Sequence, residues 1–421
     1  MSRNSTNSRQ PELRFNGFTG DWEEKSLGEV GVFVRGLSYN KGEVTTDESS
    51  TLVIRSNNII QDGAVDCKNG LQFVTKAPSS EQILKKGDIV ICLSNGSSNL
   101  VGKSASFDGD YDGVATVGAF CGIYRSSAPI TKYLVQTQAY KNSIDLIKQG
   151  GNGALANLYG RDILGLKFLF PSYAEQQKIV ECLSEIDNLV SAQGQKVEYL
   201  KEKKKGLMQQ IFPRNGESSP RLRFPGFTGE WEKKKLVDLA HKMNRRNRQL
   251  EVSRVLTNSA NDGVVDQSEY FDRDIAVKNN TDNYHIVELN DFVYNPRIST
   301  AAPVGPISIN KIGKGIMSPL YTVFKFHEGH VPFFEYYFQT TIWHAYLKSI
   351  ANYGARFDRM NITSEGFFDM PIILPPTLAE QQKIASCLFS LDETIQCETE
   401  KLKALKAHKK GLMQQMFPNS K

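Results

Sequence analysis

Between Ala174 and Pro213 the chain carries an apolar seam. Ile179, Leu183, Ile186, Val190, Val197, Leu200, Leu207 and Ile211 follow steps of four and three, with Gln193 and Lys204 filling two of the turns. Between Ala379 and Pro418 the same spacing returns at Ile384, Leu388, Leu391, Ile395, Leu402, Leu405, Leu412 and Met416, with Glu398 and Lys409 at the interrupted turns. A strict heptad spacing predicts a long helix with a narrow seam, which wants one partner helix rather than a broad core. Each helix would run roughly 55 Å at ~1.5 Å per residue.

The two stretches align without a gap, from AEQQKI to GLMQQ(I/M)FP, and about half their positions are identical. Each is therefore the natural partner of the other. The expected seam is Ile186, Val190, Val197, Leu200 and Leu207 against Leu391, Ile395, Leu402, Leu405 and Leu412. An antiparallel pairing about a two-fold axis has a register in which Lys204 faces Glu398 and Gln193 faces Lys409. Val197 then meets Leu405 and Val190 meets Leu412. A register shifted by one heptad overlaps more residues but faces Ile186 with Lys409, so the first register is the expectation.

A second repeat precedes each helix by a long interval. PELRFNGFTGDWEEKSL at 11–27 returns as PRLRFPGFTGEWEKKKL at 220–236. Its aromatics read as a docking surface or small core rather than a catalytic site. The chain is thus two tandem units, each a Gly-Trp opening, a body and a long helix. The expected boundaries are 1–173 with a polar tail at 1–10, then 174–213, 214–378 and 379–421.

The bodies differ greatly but share landmarks. DGAVD at 62–66 matches DGVVD at 262–266, and GDIVICLS at 87–94 matches NDFVYNPR at 290–297. A helix-like stretch at 132–149 matches 333–350. Short apolar runs (TLVI, DIVICL, FCGIY, LKFLF) between Gly, Asn and Asp predict strands, so each body is read as α+β with an antiparallel or mixed sheet. Like frames carrying unlike inserts suit two different readers held at a fixed separation, and duplex DNA is a ligand long enough to address both.

Composition narrows this reading. The chain has 421 residues, a net charge of +5 and cysteines at 67, 92, 121, 182, 387 and 397, with no C-x-x-C pair. Neither zinc nor a disulfide framework is indicated. No apolar run is long enough to cross a bilayer, and MSRNSTNSRQ lacks the apolar centre of a signal peptide, so a cytoplasmic location is expected. The histidines include no spaced pair suited to a metal, and no catalytic constellation stands out.

Two stretches imitate catalytic motifs. Gly96 to Ser104 resembles a phosphate-binding loop, but it has one residue too many between its glycines and no helix follows it. It reads better as a DNA-contacting loop, through Asn95, Ser97, Ser98 and Lys103. Tyr294-Asn295-Pro296-Arg297 imitates the Asn-Pro-Pro-aromatic motif of amino-methyltransferases without its second proline or its aromatic. Arg297 reads better as a base or phosphate reader, because its fork can reach guanine bidentately.

Basic and amide residues recur at comparable points of both bodies. The first offers Arg35, Tyr39, Asn40, Lys41, Asn57, Asn152, Asn157 and Arg161. The second offers Arg245, Arg246, Arg248, Asn258, Asn295, Arg356, Arg359 and Asn361. These are the candidate DNA-binding residues. A protein-interaction scaffold on the same helices explains the heptads equally well and the divergent polar loops less well.

The doubled AEQQKI…GLMQQ(I/M)FP helix, the GFTG(D/E)W segments and the divergent bodies closely resemble the specificity subunit of type I restriction–modification enzymes, over almost the whole chain. The resemblance implies two target-recognition domains, each reading half of a split, asymmetric DNA sequence. It implies an antiparallel coiled coil that measures the unread gap. It also implies partner subunits: modification subunits that bring S-adenosylmethionine and methylate adenine N6, and restriction subunits that bring ATP and Mg²⁺. No catalytic residue, cofactor or metal is expected in this chain.

Overall fold

Short runs rich in valine, isoleucine and aromatics, bounded by turn residues, form strands where the pattern predicted them. Thr51–Ile54, Ile89–Cys92, Cys121–Ser126 and Lys167–Phe170 are all strands in the computed structural model, which describes residues 9–60, 63–149, 157–214, 216–270, 281–352 and 358–418. The chain is α+β and packs as two compact units. One takes Met1–Gly194 with Glu400–Lys421, the other Gln195–Thr399.

The main sheet of the first unit is antiparallel, in the order Gly31–Arg35, Cys121–Ser126, Ile89–Cys92, Ser104–Ser106. The second unit repeats it as Ala240–Lys242, Thr322–Phe326, Phe292–Tyr294, Ile307–Ile309. The pairing of 87–94 with 290–297 therefore holds, since both runs supply the third strand. The additions to this sheet differ. The first unit has another four-stranded sheet ending in a parallel pair, Thr51–Ile54 with Ala115–Val117. The second has two separate ladders, Leu256–Ser259 with Gly263–Asp266 and His285–Val287 with Gly315–Met317.

Each long helix runs for 39 residues, Tyr173–Ile211 and Leu378–Met416. Both are shared between the units. Residues 173–194 and 400–416 belong to the first, 195–211 and 378–399 to the second. In the first unit Ile179, Leu183 and Ile186 join one apolar core with Leu412, Met413, Met416 and Phe417. In the second, Ile384 and Leu388 join Leu207, Met208 and Ile211. All ten expected seam residues are buried or half-buried.

The ion pairs correct the expected register. Lys204 Nζ lies 2.6 Å from Asp392 Oδ1, not beside Glu398, whose Oε2 is 3.1 Å from Lys196 Nζ. Lys409 Nζ lies 2.5 Å from Asp187 Oδ1, not opposite Gln193. This is the register shifted by one heptad. The objection that Ile186 would face Lys409 fails because the long lysine stem passes the apolar residue and ends on the neighbouring carboxylate. Asp187 and Asp392 are one repeat position, as are Lys204 and Lys409, so a single register forms both pairs.

Each pair carries a tyrosine. Tyr133 Oη donates to Asp187 Oδ2 at 2.8 Å, and Tyr336 Oη donates to Asp392 Oδ2 at 2.9 Å. Lys409 Nζ sits 5.4 Å from the Tyr133 ring centroid and Lys204 Nζ 5.1 Å from that of Tyr336. Burial, and then the adjacent carboxylate, push both phenols far above their ordinary pKa, so both remain donors. The match of 132–149 with 333–350 is accordingly displaced by two residues, because Tyr133 corresponds to Tyr336. Helices Thr131–Leu134 and Val331–Phe338 carry them.

Candidate nucleic-acid interface

The repeated words of the sequence meet at one junction in each unit. Arg14 Nε donates to Glu175 Oε1 at 2.7 Å and Nη2 to Oε2 at 2.8 Å, while Nη1 holds the Gly20 carbonyl at 2.7 Å. Arg223 grips Glu380 at 2.7 Å through both nitrogens and also reaches the Gly229 carbonyl. Glu175 and Glu380 are each only 1% exposed, so each carboxylate depends on its fork. The GFTG turn is glycine-built for a reason: Gly17 and Gly20, like Gly226 and Gly229, have φ between 83° and 92°. The tryptophan that follows is core, not a docking surface. Trp22 meets Phe417 edge-on at 6.2 Å, and Trp231 meets Phe212 at 6.1 Å. Two-stranded ladders, Glu23–Ser26 with Lys167–Phe170 and Glu232–Lys235 with Pro371–Leu374, deliver each body to its helix.

This junction anchors one side of each body, and the candidate readers lie on loops elsewhere. In the first unit Arg35 pairs with Gly122 and Cys92 with Cys121, so the segments after Arg35, after Cys92 and before Cys121 leave the main sheet at one end. Asn95 Nδ2 donates to Ser56 Oγ at 2.8 Å, which ties in the turn that bears Asn57. Leu158 N donates to Leu93 O at 2.9 Å, which ties in Asn157 and Arg161. Arg35, Asn40, Lys41, Asn57, Ser97, Ser98, Asn157 and Arg161 are exposed there, while Tyr39, Asn95 and Lys103 are half-buried.

The local backbone explains several of these positions. Asn40 caps the short turn Lys41–Glu43, its Oδ1 accepting from Gly42 N at 2.9 Å. Asn95 Oδ1 accepts from Ser97 N at 2.9 Å and so shapes the loop it belongs to. Ser98–Leu100 is a single tight turn and Ser104–Ser106 a strand, so no phosphate-binding helix follows this glycine loop. Tyr39 packs beside Leu37, Val53 and Val74 and supports the rim from beneath.

In the second unit the same end of the main sheet carries Arg245, Arg246, Arg248 and Arg297. Arg297 pairs with Arg359 through an isolated bridge, and Asn361 pairs with Asn352. The Arg297 side chain is 67% exposed, with Nε 3.8 Å from Asp358 Oδ2. Arg245 rests between Glu288 at 3.0 Å and Glu251 at 3.8 Å, and Arg246 Nη1 donates to Asn283 O at 2.6 Å. Arg246 also bridges to His285, whose imidazole is depressed to about 4, first by burial and then by Arg246 and Lys242.

Two candidates are corrected. Asn258 is 2% exposed, with Nδ2 donating to Val293 O at 2.8 Å and Pro306 O at 3.2 Å. Asn295 is 9% exposed, with Nδ2 donating to Asn258 O at 3.0 Å. Their amide nitrogens donate to buried backbone carbonyls, and burial closes both side chains to a ligand. Asn152 and Arg356 lie outside the described residues. Sequence reasoning also missed two residues at the rim of the first unit. Phe120 is 71% exposed, just before the strand Cys121–Ser126, and Tyr159 is 53% exposed beneath Arg161, whose guanidinium lies 5.3 Å from its ring. Phe120 was hidden because FCGIY reads as a single strand.

Repeated frames that carry unlike polar rims define a chain built to present two surfaces. Residues 19–202 and 228–407 each match the type I restriction modification DNA specificity domain, so the chain belongs to that family. It is 31% identical over 169 residues to the StySPI specificity subunit of Salmonella potsdam and to the EcoKI specificity subunit of Escherichia coli strain K12. Each alignment covers 38% of this chain and spans about a third, 35%, of the relative. The fold is shared with the S subunit of a type I restriction-modification system from M. genitalium, at a TM-score of 0.55 and 12% identity, covering 98% of this chain and all of that one. A solved structure described in terms of complex assembly and conformational transition of the type I R-M system matches at 0.52 and 16%, covering 94% of this chain and 98% of that one.

Proposed function

We propose that this chain is the non-catalytic DNA-recognition subunit of a type I restriction–modification complex, acting in the cytoplasm. Each body reads one half of a bipartite, asymmetric target. The two long helices pair antiparallel as a coiled coil and set the unread gap between the halves. Modification subunits bind S-adenosylmethionine and methylate adenine N6, and restriction subunits use ATP and Mg²⁺. All three cofactors sit on those partners.

The observation that carries this reading is the contrast within each unit. The junction of Arg14 with Glu175 is reproduced by Arg223 with Glu380, yet the rim loops share almost nothing. A duplicated frame with divergent rims serves two different ligand segments. Exposed Arg and Asn at loop tips suit base edges and phosphates, and the exposed aromatics Phe120 and Tyr159 can lie against a sugar or a base step.

A net charge of +5 gives modest affinity for a polyanion. The chain alone therefore binds duplex DNA weakly and with strong salt dependence, and tight binding follows when modification subunits enclose the duplex. Gel shifts of the chain alone and of the reconstituted assembly test this. Equal, salt-insensitive binding in both, or none in either, would contradict it.

A further inference from the structure

The Tyr–Asp–Lys groupings hold the same residue types in the same arrangement in both units. Each joins three elements: the short helix beside the main sheet, the long helix following that body, and the far half of the other long helix. In the first unit these supply Tyr133, Asp187 and Lys409; in the second, Tyr336, Asp392 and Lys204. The two lysine side chains are only 13% and 16% exposed although each sits on a helix with a solvent-facing side.

Apolar seams repeat every heptad and tolerate a slip of one repeat with similar burial. The polar groupings do not. In the register slipped to face Lys204 with Glu398, Lys409 would face Gln193, and both aspartates would keep their tyrosines but lose their cations. A polar contact at one seam position is the usual device that selects a register.

We infer that these two groupings lock the helix register and, given the reading in Proposed function, thereby set the gap length that the assembly accepts. Asp187, Asp392, Lys204 and Lys409 are positioning residues that need touch no DNA. The tyrosines hold each aspartate to its own body, so a slip moves the lysine-bearing helix past a fixed Tyr–Asp pair.

The test uses the full chain assembled with modification subunits. Lys204→Asp and Asp392→Lys are made singly and together, with Lys204→Gln as a milder variant. Binding is measured on duplexes whose half-site gap is native or is longer or shorter by one to about three base pairs, since a one-heptad slip is ~10 Å at ~1.5 Å per residue and ~3.4 Å per base pair. The single variants are expected to lose preference for the native gap while keeping half-site base preference, and the charge-swapped pair to recover it. A uniform drop at all gaps without recovery by the swap would overturn the proposal. Register is read independently of DNA by disulfide trapping in a Cys397→Ser chain. Leu200→Cys with Ile395→Cys should cross-link in the native register. Leu200→Cys with Leu402→Cys should cross-link only once a lock is broken, partly with Lys204→Asp alone and more fully when Lys409→Asp is added. An unchanged cross-linking pattern with both locks broken would overturn the lock. Absence of any gap preference in the unsubstituted assembly would instead overturn the DNA reading and leave the cross-linking to judge the lock.

Discussion

Arg14 holds both oxygens of Glu175, 161 residues further along the chain, and it does so with a carboxylate that is almost fully buried. The contact explains why two unrelated-looking words, LRF-x-GFTG and AEQQK, occur together twice. Removing one partner strands a buried charge, which costs about 3–5 kcal/mol. Arg14→Ala is therefore expected to destabilise the first unit by about that amount, and Glu175→Gln added to Arg14→Ala to recover part of it. Denaturant unfolding of the three chains checks this, and an Arg14→Ala loss below about 1 kcal/mol, the level of an exposed pair, would contradict it.

His285 gives the second unit a defined acid sensitivity. Burial depresses its folded pKa from 6.5 to about 4, so the folded state binds this proton less readily than the unfolded one. Stability is fully present above 6.5 and falls as pH drops from 6.5 towards 4. The loss at pH 5 is about 2 kcal/mol. Melting of the intact chain at pH 7 and pH 5 should show this, and His285→Gln should flatten the difference. An unaltered pH dependence in that variant would show that other groups carry it.

Arg297 and Asn258 come from one sequence-derived set but should behave in opposite ways. Arg297→Ala is expected to relax reading at one half-site by about 1–3 kcal/mol and to leave folding intact. Equal weakening on every sequence would make it a phosphate contact. Asn258→Ala, which removes the amide that donates to the Val293 and Pro306 carbonyls, is expected to cost about 0.5–1.5 kcal/mol of stability with no change of base preference. Methylation assays on half-site variants, run beside unfolding curves, separate the two outcomes.

Periodicity made the long helices legible, and repetition made the two-unit plan legible. Single-sequence patterns could not fix the register, because a heptad seam looks alike after a slip of seven. What decides it is Asp187 and Asp392, which lie beside the seam rather than on it and carried no periodic signature. The Arg14–Glu175 pair was invisible for another reason: it joins segments far apart in sequence, and an arginine in a glycine-rich turn reads as solvated. Asn258 and Asn295 were misread because an asparagine in a polar run looks the same whether it faces solvent or fills a backbone gap. Among the rim residues, exposure could be guessed from composition, but which loops meet depended on sheet register.

Shortening the helices probes the spacer itself. Removing one heptad from the middle of each long helix takes out ~10 Å at ~1.5 Å per residue, about three base pairs at ~3.4 Å each. The accepted gap should shrink by that amount, or activity should vanish if the lobes can no longer engage together. Unchanged gap preference would show that the helices do not set it.

The most direct test maps methylated adenines across a genome that expresses this chain with its modification subunits and across one that lacks it. The account predicts a single new bipartite motif, two unlike half-sites with an unread gap of fixed length. No new methylation, one undivided motif or half-sites at freely variable spacing would contradict it.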